Sequence, residues 1–314
     1  LIQQYEYGMT FDAIKRIFDG HKGQLVDLIA QIKDAQQVDD SVLHREYPID
    51  KQRELGAWLV QKIGFDLEAG RIDEAVHPFA NSSSVNDVRI TTRYNANWLN
   101  PAFFSLMHEA GHGMYEAGVS QDLEGNILAN GTSLGVHESQ SRLWENLVGR
   151  SRGFINWVLP TLQEKFSHLN DTNAETLYKA ANIVKPSYIR VEADEATYNL
   201  HIMLRFELEN DLLNGKVAFK DLPQVWNERF ESFLGIVPEN DTLGVLQDVH
   251  WSAGLIGYFA TYALGNLLSV QYYNQALKAH PSITDEIAQG KFDTLHGWLK
   301  DNIYHHGRKF TAAE

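Results

Sequence analysis

Residues 100–118 read NPAFFSLMHEAGHGMYEAG, and this stretch decides how the rest of the chain is interpreted. Asn100 is a favourable N-cap, Pro101 suits the first helical position, and a glycine stands at the end, so the sequence predicts one helix. Residues four apart lie on one helical face, which brings the side chains of His108 and His112 together. The segment therefore predicts a helix that offers two imidazole ligands to one metal ion.

The five residues HEAGH at 108–112 have the pattern of a catalytic zinc helix. Glu109 would lie beside the ion and act as general base toward a metal-activated water. One subclass of these enzymes requires a further His six positions after the second and a Gly three after it. Those positions hold Gly118 and Tyr115, so that subclass is excluded.

Glu138 is the candidate for the third ligand, as in sites built from two His and one Glu. It lies in a segment with a partly helical apolar pattern, after a glycine-containing crossover at 125–135. His137 is a rival, but neighbours on a helix point about 100° apart, so only one of the two can face the metal. The prediction is an open site of His108, His112 and Glu138 with a fourth position for water.

Composition limits the class of protein. The chain has 314 residues, 44% of them hydrophobic, and no linker or low-complexity run divides it, which favours one continuous, mostly helical region over 1–314. The absence of Cys excludes disulfides and thiolate ligands and fits a cytoplasmic protein. A net charge of −14 argues against nucleic acid as a partner.

The uncharged stretch from Trp251 to Val270 is long enough to cross a bilayer. It contains three glycines and several hydroxyl and amide side chains, and it lacks basic flanks. A buried helix is therefore predicted here, and no membrane association.

Hydrophobic periodicity predicts an α-rich chain with a small β element. The strongest strand signal is the alternation in residues 87–94. Besides the helices around HEAGH and Glu138, helices are predicted at 10–34, 50–64, 157–169, 174–183, 195–213, 222–234, 243–249, 254–277 and 282–298.

Six motifs follow one another in a fixed order along the chain. They are HPF at 77–79, DVRIT at 87–91, HEAGH at 108–112, HESQ at 137–140, IRVEAD at 189–194 and GVLQDVHW at 244–251. In this combination the chain resembles the carboxypeptidase Taq family of metallocarboxypeptidases, and the likeness extends to the opening segment YEYGMT at 5–10.

The resemblance implies a mostly α, helical zincin-like cleft enzyme with a small β-sheet next to the active site. It also implies a homodimer that removes single residues from the C-termini of peptides, using one zinc or cobalt ion per chain. Family members carry a further helical region ahead of the part matched here, and this chain starts without Met. The expectation is a catalytic C-terminal portion of a longer protein.

A carboxypeptidase must hold the terminal carboxylate of its substrate, for which a bidentate Arg is the best physical choice. Arg190 and Arg89 both lie in family motifs. Arg190 follows the break at Lys185-Pro186, where a loop could aim it at the substrate, and it is the preferred candidate. Arg89 lies on the predicted strand, where Asp87 could pair with it in a structural role.

The oxyanion formed during hydrolysis needs a hydrogen-bond donor besides the metal. His250, Tyr258 and Tyr262 are the candidates, and the two tyrosines are four residues apart on one predicted helical face. For the carboxylate that orients a zinc-binding His, Asp248 is considered first, with Asp194 and Glu145 as competitors.

The leading hypothesis is a metallocarboxypeptidase acting on peptides with a free C-terminus. One alternative is a zinc endopeptidase or dipeptidase on the same scaffold. A further alternative is a non-catalytic metal-binding protein, against which Glu109 argues because metal binding does not require it.

Overall fold

The computed structural model describes residues 1–314, which cluster into two compact units. The first unit contains residues 1–37 and 182–264, and the second contains residues 38–181 and 265–314. The chain therefore passes from one unit to the other after residues 37, 181 and 264. That residues 1–314 form a single catalytic region stays a prediction.

Helices dominate the chain, as expected, and three short strands form one sheet. The helices are α1 Phe11–Lys33, α2 Ile49–Ile63, α3 Asn100–Ala117, α4 Leu134–Arg142, α5 Arg152–Lys165, α6 Ala174–Ala181, α7 Glu195–Leu213, α8 Leu222–Leu234, α9 Ala260–Ala279, α10 Ile283–Ile287 and α11 Asp293–Asn302. The strands are β1 Gly70–Glu74, β2 Ala80–Ser84 and β3 Asp87–Thr92, and a π-helical segment, Leu143–Val148, continues α4.

The core of the first unit lies between α1, α7 and α8. Phe206 of α7 stacks on Phe11 with ring centroids 4.7 Å apart and meets Phe18 edge-on at 5.1 Å. Asp194 caps α7 by accepting hydrogen bonds from the backbone of Ala196 and Thr197, both 3.0 Å long. The predicted start of this helix, directly after Asp194, is confirmed.

The second unit contains the sheet, in the order β1-β3-β2. The central strand β3 pairs in parallel with β1, with Ile72 opposite Ile90, and antiparallel with β2, with Ala80 opposite Ile90. Val88 and Ile90 of β3 are buried in the same core as Met114 of α3. The prediction of a small sheet beside the helix that carries HEAGH is therefore confirmed.

Several predicted helices differ from the structure in their bounds or extent. Helix α3 is capped by Leu99 rather than Asn100, whose side-chain oxygen accepts no hydrogen bond from the first turn. Residues 243–249 form turns, and the helix expected from 254 begins at Ala260. Residues 282–298 form two helices, α10 and α11, instead of one.

The uncharged stretch from Trp251 to Val270 enters α9 only in its second half. No helix in the structure combines the length and the apolar content that a membrane span requires.

Candidate metal centre

Two histidines of α3 and one glutamate of α4 converge in the second unit. The Nε2 atoms of His108 and His112 lie 3.7 and 3.6 Å from Oε2 of Glu138. The three groups can offer ligand atoms that all lie within 4.8 Å of one another. His137 points elsewhere, so the structure brings together the three residues that the sequence selected.

This donor set fits a divalent cation of the zinc class. Ligand atoms about 2.0–2.2 Å from a tetrahedral ion lie roughly 3.4 Å from one another, close to the two separations between His nitrogens and Glu138. Two imidazoles and one carboxylate supply three ligands, which leaves a fourth position for water or substrate, as catalytic sites require.

Glu138 is held as a carboxylate in a buried position. Its Oε1 accepts a 2.7 Å hydrogen bond from Nε of Arg142, one helical turn ahead. Burial by itself raises the pKa of Glu138, but the charges of Arg142 and His108 outweigh burial and hold the pKa well below its usual range. A Cβ added to Gly265 of α9 would lie 2.6 Å from both Cβ and Cγ of Glu138, so only glycine allows this approach.

His108 is oriented by Glu145, whose Oε2 lies 2.9 Å from the His108 Nδ1 atom. The same carboxylate accepts hydrogen bonds from Arg142 at 3.3 Å and from Arg150 at 3.1 Å. Of the three acids considered for this role, Glu145 is the one in contact with a candidate ligand. A carboxylate behind a metal-binding His fixes the ring and its tautomer.

Asp248 and Asp194, the other two acids, have structural partners instead. Asp248 pairs with Arg190 and Arg205 in the first unit. Asp194 caps α7. Asp248 is one of the three acids that the sequence offers for orienting a candidate ligand, and in the structure two buried arginines bond to both of its oxygens.

His112 has a different support. Its Nδ1 atom lies 2.7 Å from Nδ1 of His137, and Nε2 of His137 lies 2.5 Å from Oε1 of Glu116. Ser82 of β2 donates to the second oxygen of Glu116 at 3.1 Å. Burial raises the pKa of Glu116, but the hydrogen bond and charge of His137, together with the hydrogen bonds from Ser82 and the Gly131 backbone, outweigh burial and lower the net pKa.

Glu109 is buried beside these groups, with 5% of its surface exposed. Its Oε2 atom has no hydrogen-bond partner. Burial raises the pKa of Glu109 to about 7, despite the opposing effect of His108. A carboxylate that is buried, not neutralised by hydrogen bonds at this oxygen and titrating near neutrality is suited to accept and return a proton.

The two helices that carry the ligands approach each other closely at Gly111. A Cβ at this position would lie 2.6 Å from the carbonyl oxygen of Gln140 and 2.6 Å from Cα of Ser141. Gly111 therefore allows α3 and α4 to approach closely enough for His108, His112 and Glu138 to share one metal ion.

Arg190 is buried in the first unit, with 3% of its surface exposed. Its Nε and Nη2 atoms donate to Oδ1 of Asp248 at 2.9 and 2.8 Å, and its Nη1 donates to the Tyr198 hydroxyl at 3.0 Å. Arg205 donates to the other oxygen of Asp248 at 2.7 Å. The Asp248 carboxylate thus forms ion pairs with two buried guanidinium groups, those of Arg190 and Arg205.

Arg89 lies on β3 in an exposed position. Its guanidinium forms a two-bond pair with Asp87, at 3.0 and 2.9 Å, as its position on the strand predicted. This arrangement fits the structural role expected for Arg89.

His250 and the two tyrosines lie together in the first unit. Nε2 of His250 is 3.1 Å from the Tyr262 hydroxyl, and its ring centroid is 5.1 Å from that of Tyr258. Glu209 holds this segment by accepting hydrogen bonds from Trp251 Nε1 at 2.7 Å and from the Gly257 backbone at 3.1 Å.

The sequence interpretation missed Arg142, Arg150, Glu116 and the supporting role of His137. Helical spacing contained part of the signal, since Glu116 follows His112 by four residues and Arg142 follows Glu138 by four. Arg150 could not be placed in this way because it lies beyond the π-helical segment, where the side-chain period changes.

Comparison with known proteins adds an independent line of evidence. A family model described as carboxypeptidase Taq (M32) metallopeptidase matches residues 1–314. Thermostable carboxypeptidase 1 of Thermus thermophilus is 43% identical over 314 residues, covering 99% of this chain and 61% of that protein. Carboxypeptidase 1 of Bacillus subtilis is 37% identical over 311 residues, covering 98% of this chain and 62% of that protein.

Solved structures give the same result. The crystal structure of an M32 carboxypeptidase from Deinococcus radiodurans matches with a TM-score of 0.97 at 42% identity, covering 99% of this chain and 63% of that one. A Pyrococcus furiosus carboxypeptidase structure matches with a TM-score of 0.95 at 37% identity, covering 99% of this chain and 63% of that one. The chain thus spans about three fifths of the length of these relatives.

Proposed function

Because the chain belongs to the carboxypeptidase Taq (M32) metallopeptidase family, we propose that it releases single amino acids from the C-termini of peptides. The observation that carries the proposal is the convergence of His108, His112 and Glu138 beside the buried carboxylate of Glu109. Three ligands with an adjacent base are the components of metal-assisted hydrolysis.

We propose zinc as the ion, with cobalt as the alternative, bound by His108, His112 and Glu138. When bound, such an ion supplies Lewis acidity that polarises a carbonyl and lowers the pKa of water. Glu145 and His137 would hold the two imidazole rings in place during this chemistry.

Glu109 acts as the general base that takes a proton from the attacking water. It then returns the proton to the departing amine, so that the same carboxyl group serves both half-steps. Its raised pKa supports both roles, because a group with a pKa near 7 accepts and donates protons at neutral pH.

Arg190 is proposed to bind the substrate's terminal carboxylate. Its bonds to Asp248 and Tyr198 use three of the five N–H groups of a guanidinium, so one N–H on each Nη atom stays available. Asp248 also fixes the plane of the guanidinium, which favours bidentate binding. Arg89 stays the second candidate.

His250, Tyr258 and Tyr262 are proposed as donors in the reaction, with His250 and Tyr258 stabilising the oxyanion and Tyr262 contacting the substrate. Their mutual contacts support this proposal, because the hydrogen bond between His250 and Tyr262 orients both polar groups.

The test is mass spectrometry of a peptide pool incubated with zinc-loaded and with chelated protein. Residues leaving one at a time from free C-termini, with amidated copies resisting, would support the proposal. Internal cleavage of amidated peptides would replace it with an endopeptidase, and hydrolysis of dipeptides but not of longer peptides would replace it with a dipeptidase. Unchanged peptides together with full zinc occupancy would indicate a binding protein.

The homodimer and the cytoplasmic location also stay proposals. Solution mass by light scattering tests the first, and fractionation of cells that express the protein tests the second. A monomer at micromolar concentration would contradict the dimer.

A further inference from the structure

The two candidate histidine ligands are supported by different chemistry. Behind His108 stands the carboxylate of Glu145, at 2.9 Å. Behind His112 stands a second imidazole, with the Nδ1 atoms of His112 and His137 only 2.7 Å apart. Two nitrogens at this distance share one hydrogen, so one ring donates and the other accepts.

Glu116 decides which ring donates. Its carboxylate can only accept, and its Oε1 lies 2.5 Å from Nε2 of His137, so the hydrogen in that contact belongs to His137. In the tautomer that carries its one hydrogen on Nε2, His137 has its lone pair on Nδ1 and accepts a hydrogen bond there. His112 must then be the donor, through Nδ1–H.

This assignment has a direct consequence at the candidate metal site. A neutral imidazole that carries its hydrogen on Nδ1 has its lone pair on Nε2. In His112 that is the atom 3.6 Å from Oε2 of Glu138, where the ligand atoms converge. The opposite tautomer would place a hydrogen at this point and block coordination.

Glu116 is itself fixed from two further directions. The Ser82 hydroxyl on β2 donates to its Oε2 at 3.1 Å, and the backbone N–H of Gly131 also donates to this carboxylate. Its orientation is therefore set by the sheet and by the segment before α4, independently of His112.

We propose that His137 is a positioning residue that fixes the Nδ1–H tautomer of His112 and that Glu116 selects the state of His137. The proposal rests on the metal ligands named under the proposed function, but not on the reaction. It also explains an asymmetry: a carboxylate raises the basicity of the ring it supports, whereas His112 is oriented by a second imidazole, with the carboxylate one residue further away.

Two substitutions distinguish the effect of the hydrogen-bond acceptor at position 137 from the effect of the size of the ring. His137→Phe keeps a planar ring but has no acceptor, and we expect zinc affinity to fall about 10- to 100-fold. His137→Asn places its side-chain oxygen near the position of the original Nδ1, and we expect affinity within about threefold of the unsubstituted protein. Affinity is measured by competition with a chromophoric chelator.

The matched control is His168→Phe, in the same unit. His168 packs against the rings of Tyr47 and Phe166, away from the ligands, so its replacement should leave zinc affinity unchanged. Circular dichroism and the unfolding temperature check that each variant is folded.

A spectroscopic measurement tests the tautomer without any substitution in the network. Imidazole ¹⁵N shifts of the metal-free protein should show Nδ1–H for His112 and Nε2–H for His137, with the His112 signals assigned by their loss in His112→Gln. An Nε2–H tautomer at His112 would overturn the proposal, as would a folded Phe variant with undiminished affinity or an Asn variant as weak as Phe. Because none of these readouts uses a peptide, a protein without peptidase activity would refute the proposed function and leave this inference intact.

Discussion

At the scale of single residues, the second unit distributes its buried charge unevenly. Arg142 and Arg150 neutralise Glu138 and Glu145, which holds the pKa of each carboxyl below its ordinary range. Glu109 has no such partner at Oε2, and burial raises its pKa. The candidate site thus contains two carboxylates with lowered pKa values, Glu138 and Glu145, and one carboxyl group, Glu109, with a pKa near neutrality.

Glu109→Gln is the first prediction at this scale. The amide is nearly isosteric and removes no ligand, so zinc content by elemental analysis should stay at the unsubstituted level. Peptide hydrolysis should fall by roughly 10²- to 10⁴-fold, because the proton acceptor is lost. Near-normal turnover in a zinc-loaded variant would contradict the role of Glu109.

The second prediction compares the two arginines. Arg190→Ala should lower kcat/KM for free-acid peptides roughly 10- to 100-fold, because charge-assisted hydrogen bonds to the carboxylate are lost. Arg89→Ala should have little effect, since its pair with Asp87 is exposed. Unfolding curves for both variants are required, because removing Arg190 also disturbs the buried pair with Asp248. If the ranking is reversed in two folded variants, the role belongs to Arg89.

At the scale of elements, the close approach of α3 to the helix carrying Glu138 controls the geometry of the candidate site. Gly111 is packed against backbone atoms, which cannot move aside as the end of a flexible side chain can. Gly265 of α9 also packs directly against the Glu138 side chain. The spacing of these helices is therefore as much a condition for metal binding as the ligands themselves.

Gly111→Ala is predicted to lower the free energy of unfolding by about 1–3 kcal/mol, because the added methyl group forces the helices apart. Zinc affinity should fall with it. The control is Gly297→Ala in α11, where a Cβ meets no atom within 4 Å. There the higher helix propensity of Ala should stabilise the protein by up to about 1 kcal/mol. Chemical denaturation measures both, and equal effects at the two sites would refute the packing explanation.

Sequence reasoning succeeded for elements whose signals are local. Helices 195–213 and 222–234 were predicted with the observed bounds, because capping and periodicity are contained within each segment. Strands β1 and β2 were missed, since GRIDE and ANSSS lack apolar alternation and form strands only by pairing with β3. The segment before Ala260 is interrupted by Gly254 and Gly257, which have positive φ angles, and the Gly257 backbone N–H donates to Glu209, which is distant in sequence.

The same distinction applies to the candidate site. His108, Glu109, His112 and Glu138 follow from helical spacing within a short stretch of sequence. The assignment of Glu145 over Asp248 to His108 depends on which carboxylate the two buried arginines of the first unit occupy. That information is tertiary, and no pattern around residue 248 contains it.

In the whole molecule, each of the two units contains a group whose binding of an ion or a proton affects the stability of the fold. The candidate metal ligands all lie in the unit formed by 38–181 and 265–314. The other unit contains Glu209, buried with two neutral N–H partners, and burial raises the pKa of Glu209 to about 7. Glu209 is therefore a source of pH-dependent stability outside the unit that contains the candidate metal ligands.

The pH prediction follows from the direction of the Glu209 shift. A carboxyl group whose pKa is about 4.5 when unfolded and about 7 when folded binds its proton more tightly in the folded state. Its contribution, about 3 kcal/mol, is complete below pH 4.5 and is lost as the pH rises through 7. Glu209→Gln, which resembles the protonated form, should flatten the dependence of the unfolding free energy on pH in this window. If a folded Glu209→Gln variant shows the same pH dependence of the unfolding free energy, Glu209 is not the group responsible for it.

The metal prediction concerns the other unit. Zinc at about 100 times its dissociation constant should stabilise the folded chain by about 2.7 kcal/mol, and a chelator should remove this gain. Glu138→Ala should abolish the shift in calorimetry, whereas Glu209→Gln should retain it. A zinc-dependent shift of full size in Glu138→Ala would remove Glu138 from the ligand set.

The position of the ligands in the sequence has a consequence for how the chain reaches its native state. The metal ligands and their supporting residues lie between Ser82 and Arg150, whereas the first unit must join residues 1–37 to residues 182–264. Closing a longer loop costs more chain entropy, and contacts between distant residues slow folding. The residues of the metal-binding helices are therefore synthesised before the first unit is complete, and their packing against Gly265 follows once residues 265–314 of the same unit have been made.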